Sequence, residues 1–345
     1  MRVLYYDSYP NFGDQLNQSL WTPYFRPWLA RRDDISLLGV GTLLGERDYG
    51  PGRVLVCGAG FGYRADTAAL RSERAHVCFV RGPLSARVLG LDASYAVTDP
   101  AALVPTQHAA AQASGRALFV PHWETAANPL WRAACARARI DYADPRAEVP
   151  QVLSQISGAR LVLAESLHAA ICADAYRVPW LPVLTSTRVN HFKWQDWLCG
   201  LQLQPRFTRL PSLGCSDLAR NLEPVPPLPA ALEAALGGVP PALDPHAAAD
   251  VFAWMMRVTH ATPQQRSRVL HTLLWRVGPR MDALVLRTGS AERTLEQASA
   301  ALQRLAAGVG ELSDDAVQSN LLARLEEKIA AAQRVLERWS TPAAA

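Results

Sequence analysis

Along the first 215 residues, short apolar runs alternate with segments whose apolar residues recur every three or four positions. The runs predict strands at Arg2–Tyr6, Arg53–Cys57, His76–Val80, Ala96–Thr98, Ala117–Pro121, Leu161–Ala164 and Trp180–Leu184. They are brief, rich in Val and Leu, and not strictly alternating, the pattern of strands buried on both faces of a parallel sheet. Pro83–Leu89, Leu130–Arg139, Gln151–Ile156 and Leu167–Tyr176 read as helices between them. Such alternation predicts α/β architecture. The soft segment Gln107–Gly115 divides the series into two halves, 1–108 and 116–221, which fit two doubly wound domains facing each other across a cleft.

The pattern then changes. Seven prolines and a Gly-Gly pair fall between Leu222 and His246, the composition of a semi-rigid linker. From 247 to 340 the spacing is helical throughout, predicting Ala247–Thr259, Pro263–Arg287, Ala291–Ala307 and Ser313–Arg338, the last opened by the cap signal Ser313-Asp314-Asp315.

Composition narrows the classes. The chain has 345 residues, 49% hydrophobic and 19% charged, the profile of a globular protein of two domains or two and an appendage. A net charge of +4 without a dense basic stripe argues against nucleic acid as a partner. No apolar run is long enough for a membrane span, and the N-terminus lacks a signal-peptide pattern, so a cytoplasmic location is expected. The six cysteines contain no C-x-x-C pair and read as free thiols, and no ligand cluster calls for a metal.

The candidate chemistry sits where predicted strands end. Asn11-Phe12-Gly13-Asp14 follows the first strand. Its glycine lets a ligand approach the backbone, although a turn capped by aspartate has the same pattern. Gly58-Ala59-Gly60-Phe61-Gly62 is spaced G-x-G-x-G, unlike a dinucleotide fingerprint, and reads as a glycine-rich loop lining a cleft. Arg81, in Val80-Arg81-Gly82-Pro83, suits an anion or a domain-spanning ion pair. Asp99-Pro100 either orients the glycine loop or makes a turn. His122-Trp123 is a packing pair or a sugar contact. In Glu165-Ser166-Leu167-His168, Ser166 is a natural N-cap, and His168 falls in the first helical turn, where free N–H groups and the helix dipole attract anions. One of only two lysines, Lys193, lies among aromatics in His191–Trp197, beside Trp194 and Asp196, either as a cation for phosphate or on an aromatic helix that anchors the fold.

In this order the motifs resemble those of the polysaccharide pyruvyl transferase family, over about residues 1–200. The resemblance rests on N-F-G-D, the glycine loop, R-G-P-L-S followed by D-P, V-P-H-W, E-S-L-H-A-A-I-C-A-D-A-Y-R-V-P-W and F-K-W-Q-D-W. It implies two Rossmann-like domains facing a cleft, similar to GT-B glycosyltransferases, followed here by a C-terminal helical extension. It also implies transfer of pyruvate from phosphoenolpyruvate to two hydroxyls of a sugar as a cyclic ketal, with no cofactor beyond that donor. On this footing His168, Asp14 and Glu165 are the candidate catalytic groups. Arg81, Ser166, His168, Lys193, Gly58 and Gly60 are expected to bind phosphoenolpyruvate. Asn11, His122, Trp123, Trp194 and Asp196 are expected to meet the sugar. Two departures stand out: Ser166 and Ala169 occupy positions where many relatives carry Arg and Gly.

The expected partners are phosphoenolpyruvate and a saccharide acceptor in an exopolysaccharide or a polyprenyl-linked repeat unit. The basic, apolar segment 263–287 is a candidate for peripheral contact with the cytoplasmic face of the inner membrane, or for ordinary packing. Two other readings stay open: a GT-B-type glycosyltransferase using a nucleotide sugar, and a non-catalytic scaffold of polysaccharide assembly.

Overall fold

The computed structural model describes residues 1–46, 48–64, 66–186, 189–204, 206–221 and 268–341 and, for residue 219 and residues 268–275, the backbone only. The expected linker 222–246, the helix Ala247–Thr259 and the start of segment 263–287 lie outside the described residues.

Nine strands form two parallel sheets among the described residues. In the first, β1 (Arg2–Leu4), β2 (Ile35–Leu38), β3 (Arg53–Cys57) and β4 (Ala75–Phe79) stand in the order β1-β2-β3-β4. In the second, β5 (Ala117–Val120), β6 (Asp141–Tyr142), β7 (Leu161–Ala164), β8 (Trp180–Leu184) and β9 (Thr208–Arg209) stand in the order β6-β5-β7-β8-β9. Every position of β2, β5 and β7 is buried, which is why β5 and β7 are unbroken apolar runs and β2 is broken only by the buried Ser36. The strand expected at Ala96–Thr98 is reduced to a single parallel bridge from Val80 to Ala96.

Helices cover the sheets. Those that matter for the site are α1 (Phe12–Gln15), α2 (Thr22–Leu29), α3 (Pro83–Leu89), α4 (Pro129–Ala138), α5 (Val149–Ser157), α6 (Leu167–Ala175), α7 (His191–Leu201) and α8 (Gly214–Asn221). A 3₁₀ segment, Pro100–Thr106, is capped by Asp99 and packs on α6.

The C-terminal part is helical, and its helices close the faces of both sheets. In α9 (Arg268–Arg287), the buried Asp282 accepts the Cys215 N–H at 2.6 Å and the Ser216 N–H at 3.0 Å, so one helix caps the start of another. In α10 (Glu292–Ala306), the Ser299 hydroxyl donates to the Ala134 carbonyl on α4 at 3.1 Å. The long α11 (Asp315–Ser340) buries Leu321, Leu325, Ile329, Ala332, Val335 and Leu336 against β3, β4, α2 and the 3₁₀ segment. Each large apolar side chain so buried contributes about 1.5–3 kcal/mol, so this helix belongs to the core. Its start is tied to the second sheet, where Asp174 accepts the Ser313 N–H at 2.9 Å and the Trp180 indole N–H at 3.2 Å. Its end reaches the first, where Gln333 donates to the Tyr24 carbonyl at 2.8 Å. Among the described residues no helix is long and apolar enough to cross a membrane.

Candidate active site

The second sheet places a crevice by its topology. The chain leaves β5 for the edge strand β6 and returns to the other side at β7, so strand order reverses between β5 and β7. In open parallel sheets, ligands bind at the carboxyl ends of the strands at such a point. His122 and Trp123 follow β5, and Glu165, Ser166 and His168 follow β7. Across from them lie segments that follow strands of the first sheet: Asn11–Asp14 after β1 and Asp99 after the bridge at Ala96.

His168 is the meeting point. A Cβ built on Gly13 would stand 2.0 Å from the imidazole Nδ1, so only glycine lets the first half close over this ring. Nε2 points the other way, 3.7 Å from Asp99 Oδ2. Asp99 is fully buried, and its other oxygen accepts the Ala101 N–H at 3.0 Å. Among the described residues, neither His168 Nε2 nor Asp99 Oδ2 has a hydrogen-bond partner. Asp14 completes the group. Its carboxylate accepts from the Asn11 amide at 2.7 Å, and Asn11 Oδ1 in turn accepts the Gly13 N–H at 3.3 Å. Burial pushes the Asp14 carboxyl above its ordinary value. The charges of His168 and Lys193 and the Asn11 hydrogen bond oppose that push, and Asp99 adds to it.

Lys193, in the first turn of α7, sits within electrostatic reach of both Asp14 and His122, with its Nζ 3.4 Å from the Tyr63 hydroxyl. Burial, followed by the positive charges of Lys193 and Arg220, holds the His122 imidazole well below its ordinary value, so it is neutral near pH 7. Beside it, Trp123 stacks on Tyr9 with ring centroids 4.6 Å apart and planes tilted by 16°. Asp14, His168, Lys193, His122, Asn11 and Trp123 are thus brought to one place, with a neutral base, a cation and an acid of raised pKa available for proton transfer. Among the described residues no three His, Cys, Asp or Glu side chains group as metal ligands would.

Other expected site residues are committed elsewhere. Arg81 is 1% exposed, and its three donor nitrogens reach Asp196 at 3.1 Å, the Thr42 hydroxyl at 3.0 Å and the Phe61 carbonyl at 2.7 Å. Asp196 also accepts the Ser85 N–H at 2.8 Å and the Ser85 hydroxyl at 2.6 Å. Neither group is offered to a ligand. Their pair is a buried ion bridge between the segment after β4 and α7, in place of the anion clamp and sugar contact expected of them. Trp194 is buried against Trp180, Trp197 and Phe207 in tilted and edge-on contacts, so its ring packs in the core. Gly60 makes room for the Arg81 guanidinium, 2.4 Å from a Cβ built there, and Gly58, at φ +101°, makes room for Pro100. At both positions the glycine loop therefore seats protein groups. Glu165 accepts the His122 N–H at 2.8 Å and the Thr185 N–H at 3.1 Å and pairs with the Thr185 hydroxyl, which makes it a brace across the ends of β5, β7 and β8. Ser166 stands at the N-cap of α6, but its side chain makes no capping hydrogen bond.

Asp99, expected to orient the glycine loop or to make a turn, enters the site beside His168. One residue enters it unannounced. Arg220 belongs to no motif, yet it donates to the Thr125 hydroxyl at 2.8 Å, pairs with Asp217 and bears on His122.

Comparison with known proteins bears on the same span. A family model described as polysaccharide pyruvyl transferase matches residues 13–187, which takes in Asp14, Asp99, His122 and His168. The chain is also 38% identical over 216 residues to the succinoglycan biosynthesis protein ExoV of Rhizobium meliloti (strain 1021), covering 61% of this chain and 68% of that protein.

Proposed function

The chain belongs to the polysaccharide pyruvyl transferase family, and from that premise we propose that it moves the pyruvyl group of phosphoenolpyruvate onto two hydroxyls of a saccharide as a cyclic ketal. The observation that carries this reading is the group formed by Asp14, Asp99, His168 and Lys193, in which Asp99 Oδ2 and His168 Nε2 lie buried without a hydrogen-bond partner among the described residues. Structural ion pairs satisfy one another; groups left short of partners at a strand-end crevice are matched to a substrate.

The chemistry needs a proton for C3 of the donor and an acceptor for hydroxyl protons. C2 accepts the first sugar hydroxyl as C3 gains its proton. Phosphate then leaves C2 with the electron pair of the C–O bond, and the second hydroxyl closes the ring. One hydroxyl proton is balanced on C3, and the other departs with phosphate. His168, in the first turn of α6, is assigned to the phosphate and its protons, because helix N-termini favour anions. Lys193 supplies the second positive charge. Asp14, with its raised pKa, exchanges a proton with a hydroxyl. Trp123, His122 and Asn11 face the sugar, since flat aromatic rings stack on carbohydrate faces.

The two all-parallel sheets, with α11 returning to the first, support a GT-B-like pair of Rossmann-like domains over 1–108 and 116–221. The acceptor is proposed to be a lipid-linked repeat unit met at the cytoplasmic face of the membrane. On α9, Val277, Met281 and Leu284 are exposed in a stripe beside the exposed Arg276, Arg280 and Arg287, which supports a peripheral contact with anionic lipid. Salt-sensitive binding to phosphatidylglycerol vesicles, lost in R276E/R280E, is the expected result there; binding unchanged in that variant contradicts it.

The functional reading is tested by phosphate release from phosphoenolpyruvate in the presence of p-nitrophenyl hexosides. Release that depends on both compounds supports it. Stabilisation and turnover with a nucleotide sugar, with phosphoenolpyruvate inert, overturns it.

A further inference from the structure

We propose that Asp99 is a positioning residue for His168. It accepts the Nε2–H of the imidazole and so leaves Nδ1, the nitrogen at the Asn11–Asp14 turn, to exchange protons with substrate. The inference rests on the functional reading above for its kinetic consequence, and on geometry for the pair itself. Asp99 is fully buried, and the Ala101 N–H at 3.0 Å fixes one of its oxygens as the cap of the 3₁₀ segment. The other oxygen is therefore aimed by the backbone, and it faces Nε2 at 3.7 Å. A buried carboxylate oxygen without a hydrogen bond costs free energy, and here it stands against a ring nitrogen that also lacks a partner among the described residues. Such pairs are often long without substrate and tighten when it binds.

Two glycines build the seats on either side. At Gly58, at φ +101°, a Cβ would lie 2.2 Å from Pro100 Cγ, so the glycine loop fits the Asp99-Pro100 turn. At Gly13 a Cβ would strike Nδ1 itself. The turn is presented to α6 because the 3₁₀ segment packs along that helix. Asp99 comes from the first half of the chain and His168 from the second, so the imidazole is oriented only when the two halves are docked.

The consequence for the imidazole is its tautomer. With the carboxylate at Nε2, the neutral ring carries its proton there and presents a bare Nδ1; when charged, it presents Nδ1–H. The group that orients a catalytic imidazole in this way affects turnover more than binding.

The test uses the full chain with ¹⁵N-labelled histidine and assigns the His168 signals by their loss in H168Q. Long-range proton–nitrogen correlation on the neutral ring is expected to place the proton on Nε2 in the wild type and to show its partial transfer to Nδ1 in D99N. The D99N side chain can still cap the 3₁₀ segment through its amide oxygen, so the fold is retained. Turnover of D99N with phosphoenolpyruvate and p-nitrophenyl hexosides is expected to fall by at least about tenfold, with the KM for phosphoenolpyruvate within about twofold of the wild type. A proton on Nδ1 in the wild type overturns the proposal without recourse to any variant, as does wild-type turnover in D99N. A wild-type protein that leaves phosphoenolpyruvate untouched overturns the functional reading instead, and the tautomer still decides the pair.

Discussion

Arg81–Asp196 and Asp99–His168 both set a nitrogen-bearing side chain against a buried carboxylate, and both join the first half of the chain to the second. Their surroundings differ. Each of the three guanidinium nitrogens of Arg81 and both carboxylate oxygens of Asp196 have a partner, among Thr42, Phe61, Ser85 and each other. Asp99 and His168 stand 3.7 Å apart with an unmatched atom on each side, next to an Asp14 whose carboxyl burial has pushed up. The first arrangement holds two halves together. The second keeps free energy in reserve for a molecule that is not part of the chain. Charge and position in a motif do not separate these roles; hydrogen-bond satisfaction does.

The contrast is sharpest in substitutions that should split activity from stability. H168Q is expected to lower phosphoenolpyruvate-dependent turnover by about 1,000-fold or more while leaving unfolding free energy within about 1 kcal/mol, read by kinetics and urea denaturation on one preparation. R81M should do the reverse. An uncompensated Asp196 left in the core costs about 3–5 kcal/mol, and urea melts that match the wild type would remove the structural role from this pair.

D14N comes next, with opposite signs in its two readouts. Turnover should fall by about 100-fold. Stability near neutral pH should rise by roughly 1 kcal/mol, the usual relation between a strained site and fold stability. The sign follows from the raised pKa. The folded chain holds the Asp14 proton to higher pH than the unfolded chain does, so stability is lost as pH rises through that range. The gain in D14N should therefore be full above the folded value and vanish towards the ordinary carboxylate value of 3.8. A D14N protein less stable than wild type at pH 7 contradicts this. The smallest effect is expected at Lys193: K193M should raise the KM for phosphoenolpyruvate by about tenfold with kcat little changed.

Much of this molecule was legible before its structure. Six strands and α6 follow from apolar runs, most clearly where burial on both faces leaves no alternation to misread, as in β5 and β7. The strands β2, β6 and β9 were not legible, because β2 is a four-residue run broken by Ser36 and two residues at a sheet edge carry no such signal. The gathering of His168, Asp14 and Lys193 in one place was legible because each sits at a strand end or helix start, where ligands bind in parallel sheets. Arg81, Asp196 and Trp194 carry the same residue types in similar places, but their partners lie far along the chain. Arg81 and Asp196 are 115 residues apart, and one sequence does not show which distant groups fill a core. Asp99 was visible as a turn residue or an orienter of the glycine loop, but not as a neighbour of His168, because what it faces is set by how the 3₁₀ segment lies on α6.

The central claim, that the unsatisfied group around His168 is where the pyruvyl unit is transferred, is tested most directly by following one reaction mixture by phosphorus and proton NMR. Wild type and H168Q are each given phosphoenolpyruvate and p-nitrophenyl hexosides. The wild type is expected to convert the donor signal to inorganic phosphate in step with the appearance of a ketal methyl signal, and H168Q to produce neither. Equal rates in the two proteins, or phosphate without ketal in the wild type, would contradict the account.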